Sequence, residues 1–270
     1  MSKAAYIGVG SKARKIKAIY VGDASGKARR VTAGYVGVGG KARQFFAAGT
    51  PAGDLQVGGI VKLSVGGVLR DFLIVHKGLP SNLYDASCDG VWLLMKDCYT
   101  SMAFGGYKEN SYDASPIHSY LNNEFFALLD SRAQSAVQPV KIPYRPGEGT
   151  DNDISSGAQG LSSKVFLLSV MEAGAEVYAN IRGTYSTDGA MLDYFQGLKS
   201  MQEPKRVAYL NGTACDWWLR SSSTITSNSA MRITTEGNYG ADAPTAVKGI
   251  RPALILPKSV AIGDDGSLIG

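Results

Sequence analysis

The chain has 270 residues, is 44% hydrophobic and carries a formal net charge of +5, which suits one sizeable core with accessory segments. No apolar run approaches the roughly 18 residues of a membrane span, and no charged and apolar leader opens the chain, so neither a membrane span nor a signal peptide is expected. The charge is unevenly placed. Residues 1–46 hold ten Lys or Arg and one acid, Asp23, whereas the remainder holds 18 bases and 22 acids.

The basic segment repeats itself as YIGVGSKARKIKAI, YVGDASGKARRVTAG and YVGVGGKARQFF. Each unit reads as a short strand, a glycine turn and a second strand beginning at Lys-Ala-Arg, so residues 1–46 are expected to form an arm of β-hairpins. Each unit is too poor in apolar residues to stand alone, which points to attachment to a larger assembly or to oligomerisation. Lys and Arg interleaved with Tyr also suit a nucleic-acid surface, but here the bases follow the repeat rather than a recognised nucleic-acid fold, and such a partner is not expected.

AAGTPAGD (47–54) reads as a linker and residues 55–270 as one domain. Ile60 to Gly78 reads as two strands around Gly66-Gly67, and GVWLLMKD as a buried strand. ASPIHSYLNNEFFALLD carries a helix start, with Ser115 as N-cap, Pro116 in the first turn, and Ile117, Tyr120, Leu121, Phe125, Leu128 and Leu129 on one face. Residues 143–163 are turn-formers and read as a long loop. KVFLLSVMEAGAEVY reads as a short strand running into a second helix. The last third offers DWWLRSS, then AMRITTEG with Ala230, Arg232 and Thr234 alternating against Met231 and Ile233, then VKGIRPALILP, in which alternate residues from Pro252 face inward.

Catalytic signals are weak. Cys88, Cys98 and Cys215 are odd in number, have no CxxC spacing and sit among apolar neighbours, so buried free thiols are expected rather than disulfides or a zinc site. His76 and His118 have no metal-ligand spacing and read as ordinary residues. No Ser-His-Asp order, HExxH, P-loop or GxGxxG is present. Asp151 and Asp153 offer two carboxylates to a structural calcium ion, but without a further ligand set they read as solvated. No enzyme activity and no cofactor are expected.

VWLLMKD, SPIHSYLNNEFFALL, KVFLLSVMEA, WWLRSSS, AMRITTEG and GIRPALILP occur in an order that resembles a bacterial and prophage domain of uncertain function (DUF6273-like), over roughly residues 53–260. That domain is similar to the C-type-lectin-like fold of formylglycine-generating enzymes and of the variable proteins of diversity-generating retroelements. The resemblance implies an α+β domain with a small twisted antiparallel sheet and two helices, and a binding face lying between Trp-Leu-Arg-Ser and Gly-Ile-Arg-Pro. The basic arm resembles repeats that precede such domains in prophage tail proteins. The reactive cysteines of a formylglycine-generating enzyme are missing from this segment.

Trp217, Trp218, Arg220 and Arg251 then read as framework, and Ser221 to Lys248 as the display segment. Ser, Asn and Gly hydrogen-bond adaptably and Tyr adds rigid contact area, so Ser223, Thr224, Thr226, Asn228, Arg232, Thr234, Asn238, Tyr239, Asp242 and Thr245 are the expected ligand contacts. The function implied is a phage or prophage tail-tip or tail-fibre receptor-binding protein. It would assemble as a homo-oligomer, by analogy a trimer, reach the virion tail without a signal peptide, bind a bacterial surface protein or glycan, and have a display segment suited to retroelement diversification. A bacterial surface adhesin and a purely structural tail component are the alternatives.

Overall fold

The computed structural model describes residues 6–9, 12–15, 19–22, 26–31, 33–38, 41–47, 49–146, 153–175, 187–198, 202–224, 226 and 228–269. In chain order the strands are β1 (Tyr6–Val9), β2 (Lys12–Lys15), β3 (Tyr20–Gly22), β4 (Ala28–Arg30), β5 (Ala33–Val38), β6 (Lys41–Ala47), β7 (Thr50–Pro51), β8 (Ile60–Val65), β9 (Val68–Gly78), β10 (Gly90–Met95) and β11 (Thr100–Ala103). Then follow β12 (Val140–Ile142), β13 (Leu161–Ser163), β14 (Val165–Phe166), β15 (Ala208–Leu210), β16 (Thr213–Cys215), β17 (Trp217–Ser222), β18 (Ala230–Ile233), β19 (Tyr239–Asp242), β20 (Val247–Ile250), β21 (Ala253–Leu256), β22 (Ala261–Ile262) and β23 (Leu268–Ile269).

Each basic repeat closes on itself: β1 pairs β2, β3 pairs β4 and β5 pairs β6, all antiparallel. The three pairs remain separate two-stranded sheets. Tyr20, Val21, Val36 and Val38 stand 48–61% exposed on them. The folded body takes up the chain at Thr50–Pro51, which pairs with β22, and Ala52 is already buried.

The first five-stranded sheet has the order β14-β21-β10-β9-β8. β8 and β9 join through a two-residue turn, Val65 opposite Val68, and Gly66 and Gly67 adopt φ of +59° and +79°. That conformation needs residues without a Cβ, which is why the Gly-Gly pair marks the hairpin. β10 is buried along its whole length and so is β21, because both faces of the sheet are covered. The inward alternation expected from Pro252 is therefore absent. Trp92 anchors this core, with Tyr84 and Phe166 meeting its ring edge to face at 5.5 Å.

The second five-stranded sheet has the order β11-β20-β17-β18-β19. GIRPALIL is not one strand. β20 ends in this sheet at Ile250 and β21 starts in the other at Ala253, so Arg251-Pro252 is the joint between sheets. Arg251 holds it there: Nε donates to the Met95 carbonyl and Nη2 to that of Lys96, both at 2.9 Å, and the guanidinium lies over the Trp217 ring.

One helical segment covers residues 116–128: α1 (Pro116–Tyr120), a π-turn over Leu121–Phe125, and α2 (Phe126–Leu128). Ser115 caps it, its hydroxyl accepting from the His118 amide. The buried residues Ile117, Leu121, Phe125 and Leu129 recur every four residues, a spacing that the wider π-turn accommodates better than 3.6. Leu128, expected on that face, is turned outward.

The α+β reading with a C-type-lectin-like arrangement of two helices is overturned. Among the described residues the body is mostly β, in several small sheets, with this 13-residue helical segment and a short α3 (Ser131–Ala136). The second expected helix, after KVFLLSV, does not form over its described part: residues 170–174 are turns and Gly174 has φ +93°. The apolar spacing there arises because Leu167, Leu168, Val170, Ala173 and Ala175 are all buried, with no free face to set a period.

Candidate recognition surface

All six side chains of β17 are buried, and the burial extends past the tryptophans into the serines. Arg220 is the centre. Its Nη1 and Nη2 grip Glu172 in a fork at 2.6 and 2.7 Å, while Nε donates to the Pro143 carbonyl, Nη1 to that of Leu167 and Nη2 to that of Asp188. Tyr84 Oη donates to Glu172 at 2.7 Å. Ser221 Oγ donates to Asp188 at 2.6 Å and accepts from the Val170 amide. Arg145 Nη1 donates to Ser222 Oγ at 2.7 Å.

Around Arg220 this cluster sets two acids, Glu172 and Asp188, out of water. Burial works against the Arg220 charge, yet Glu172 and then Asp188 carry it above its ordinary value. Burial pushes the Asp188 carboxyl up to about 6, against the pull of Arg220. Another buried arginine, Arg206, stacks on Tyr239 at 4.3 Å and donates to the carbonyls of Ala173 and Gly237.

The expected display segment is therefore not one surface. The 223–229 connection and the 234–238 turn lie at opposite ends of the sheet, because β17, β18 and β19 are successively antiparallel. Ser223 and Tyr239 are inside, at 4% and 9% exposure, and the Tyr239 hydroxyl donates to the Ala173 carbonyl. Thr234 Oγ1 accepts from the Asn238 amide and shapes the turn.

Arg232 and Asp242 do come together, but within an ion network. Arg232 meets Asp216 at 2.9 Å and Asp242 at 3.4 Å, and Lys248 meets Asp242 at 2.9 Å and Asp216 at 3.3 Å. The Lys248 hydrogen bond holds Asp242 below the usual carboxylate range, and the same contact raises Lys248.

Thr224, Thr226 and Asn228 are half-buried on the 223–229 connection, and Thr245 is exposed on the stretch that leaves the same end of the sheet beyond Asp242. That connection is held at its backbone carbonyls from outside and by Thr226 Oγ1, which accepts from the Asn228 amide at 3.1 Å, from within. Buried Asn110 donates its Nδ2 to the carbonyls of Thr226 (3.4 Å) and Ser229 (3.2 Å), and the Ser223 amide donates to the Ser229 carbonyl.

A cleft of about 370 Å³ lies elsewhere, lined by His118, Asn122, Lys141, Ser163 and Lys164 among others. Its polar groups are largely engaged with one another: His118 Nε2 lies 3.0 Å from Ser163 Oγ, and Asn122 bonds four backbone groups. Burial holds His118 below its ordinary value. His76, also lowered by burial, has Nδ1 2.9 Å from Asp193. Asp151 lies outside the described residues, and among those described no group of three His, Cys, Asp or Glu is placed to hold a metal.

Residues 89–258, from the start of β10 to just past β21, match the family model described as Domain of unknown function (DUF6273). The chain belongs to that family. Comparison with curated proteins and with solved structures gave no match. In this DUF6273 chain, sequence reasoning missed Glu172, Asp188, Asn110, Arg145 and Arg206. A buried acid carries no local signal, and Asp216, directly before WWLR, reads as solvated until Arg232 and Lys248 are folded onto it.

Proposed function

We propose that this protein is a tail-tip or tail-fibre receptor-binding protein of a phage or prophage, and that Thr224, Thr226, Asn228 and Thr245 form its contact set for a bacterial surface protein or glycan. The observation that carries the reading is the way the 223–229 connection is fixed. Asn110 and the Ser223 amide hold the Thr226 and Ser229 carbonyls, which any residue supplies, and Thr226 Oγ1 adds one bond from the Asn228 amide, so these backbone anchors remain when the side chain at 228 changes. A loop built this way suits diversification of its sequence.

The arm supports the second half of the reading. Three separate two-stranded hairpins with outward Tyr and Val are marginal in water and gain from packing against the tail or against further copies of the chain. A homo-oligomer, on the tail-fibre analogy a trimer, would also multiply a weak single-site contact. Among the described residues no helix is long and apolar enough to cross a membrane.

The test replaces residues 224–228 with the matching stretch of a relative and measures adsorption of assembled particles to a panel of bacterial strains. The expected outcome is intact assembly with an altered host range. Unchanged adsorption by intact particles would leave a structural tail component as the reading, and activity on a bacterial surface without any particle would favour an adhesin.

A further inference from the structure

Cys98 and Cys215 are 117 positions apart in the chain, yet their sulfurs lie 3.3 Å from one another. Cys98 sits between β10 and β11, where its amide donates to the Tyr209 carbonyl at 2.9 Å. Cys215 ends the β15–β16 hairpin, immediately before Asp216 and β17. Gly249 of β20 lies against both. A Cβ at that position would come within 2.6 Å of Cys98 Sγ and 3.1 Å of Cys215 Sγ, so the missing side chain is the space in which the two sulfurs meet.

We propose that Cys98 and Cys215 form an intramolecular disulfide site, reduced where the protein is made and closed by a low-molecular-weight disulfide in an oxidising environment. All three cysteines are free, as the sequence led one to expect, and the proposal does not rest on the receptor-binding reading. A disulfide bond is about 2.05 Å long, so the sulfurs have about 1.2 Å still to travel, within reach of side-chain rotation.

Access sets the order of steps. Cys215 is half-buried and Cys98 buried. The hydrogen bond shared by the two holds Cys215 below the usual thiol range and raises Cys98. The Cys215 thiolate attacks one sulfur of oxidised glutathione, forming a mixed disulfide and releasing one glutathione thiolate. Cys98 then loses its proton and attacks the Cys215 sulfur, breaking the mixed disulfide and releasing the second glutathione. Two cysteine thiols are oxidised and one glutathione disulfide is reduced to two thiols. Cys88 takes no part: its thiol donates to the Lys141 carbonyl at 3.3 Å, and burial pushes it up to about 12.

The experiment incubates the folded full chain with oxidised glutathione, quenches with acid, and counts thiols and maps peptides. Of the three thiols, one is expected to remain, with a Cys98–Cys215 cross-linked peptide. The melting temperature should rise by roughly 5–10 °C and fall back with dithiothreitol, since the bond closes a long loop. Cys98→Ala should stop at a glutathione adduct on Cys215, and Cys88→Ala should leave the cross-link unchanged. Three surviving thiols in the unsubstituted chain, or a stable adduct on Cys215 with no cross-link, would overturn the proposal. Because the unsubstituted chain decides the matter, a variant that fails to fold does not shield it.

Discussion

Two charge clusters flank β17 and differ mainly in their access to water. One joins Arg220 to Glu172 and Asp188 with side chains no more than 1% exposed, and the other joins Arg232 and Lys248 to Asp216 and Asp242 with side chains 20–32% exposed. In the open cluster two cations balance two anions, and the Lys248–Asp242 contact favours the charged form of both. In the closed cluster the acids have no water to turn to, and burial makes Asp188 keep its proton to about pH 6 against the pull of Arg220. The same side-chain chemistry thus makes a structural keystone inside and a modest surface contact outside.

The largest expected effect tests the inner cluster. Glu172→Gln removes the forked charge partner of the buried Arg220 guanidinium, so a loss of about 3–5 kcal/mol is expected in urea unfolding. A loss under about 1 kcal/mol would put the two clusters on the same footing and break the contrast.

The next effect is a pH dependence. The unfolded Asp188 releases its proton near 3.8, whereas the native one keeps it to about 6. Between those values the native state binds more protons, so stability falls as pH rises through the window, by about 3 kcal/mol in total from this group. Asp188→Asn should flatten that slope between pH 4 and 6; a slope that survives the substitution assigns it to another group.

The smallest effect belongs to the open cluster. A double-mutant cycle of Arg232→Ala and Asp242→Ala should give a coupling below about 1 kcal/mol that fades in 1 M salt. Coupling that is larger and indifferent to salt would mean that the network is shielded as the inner one is.

The parts of the fold that were legible were those written locally. Ser115-Pro116 announces a helix start because cap and first turn are neighbours in the chain, and Gly66-Gly67 announces a hairpin because the turn itself needs both glycines. The second helix misled because a segment buried on every side shows apolar residues at any spacing. Ser221, Ser222 and Ser223 misled in the opposite sense. They looked free for display, but partners from 33 to 78 positions away, Asp188, Arg145 and Val170 among them, draw the small hydroxyls and carbonyls into the interior.

By itself the sequence determined the repeated hairpin arm, the capped helix, the turn between β8 and β9 and the heavy anchoring of WWLR, all of which depend on residues adjacent in the chain. Tertiary structure alone decided that Ser221, Ser222 and Ser223 belong to the buried framework. It also decided that the ten expected contacts divide among the two ends of a sheet, an ion network and the interior, and that two thiols 117 positions apart lie sulfur to sulfur. The physical reason is the same in each case: whether a small polar or ionisable side chain is surface or framework depends on partners that only the folded chain brings within hydrogen-bond reach.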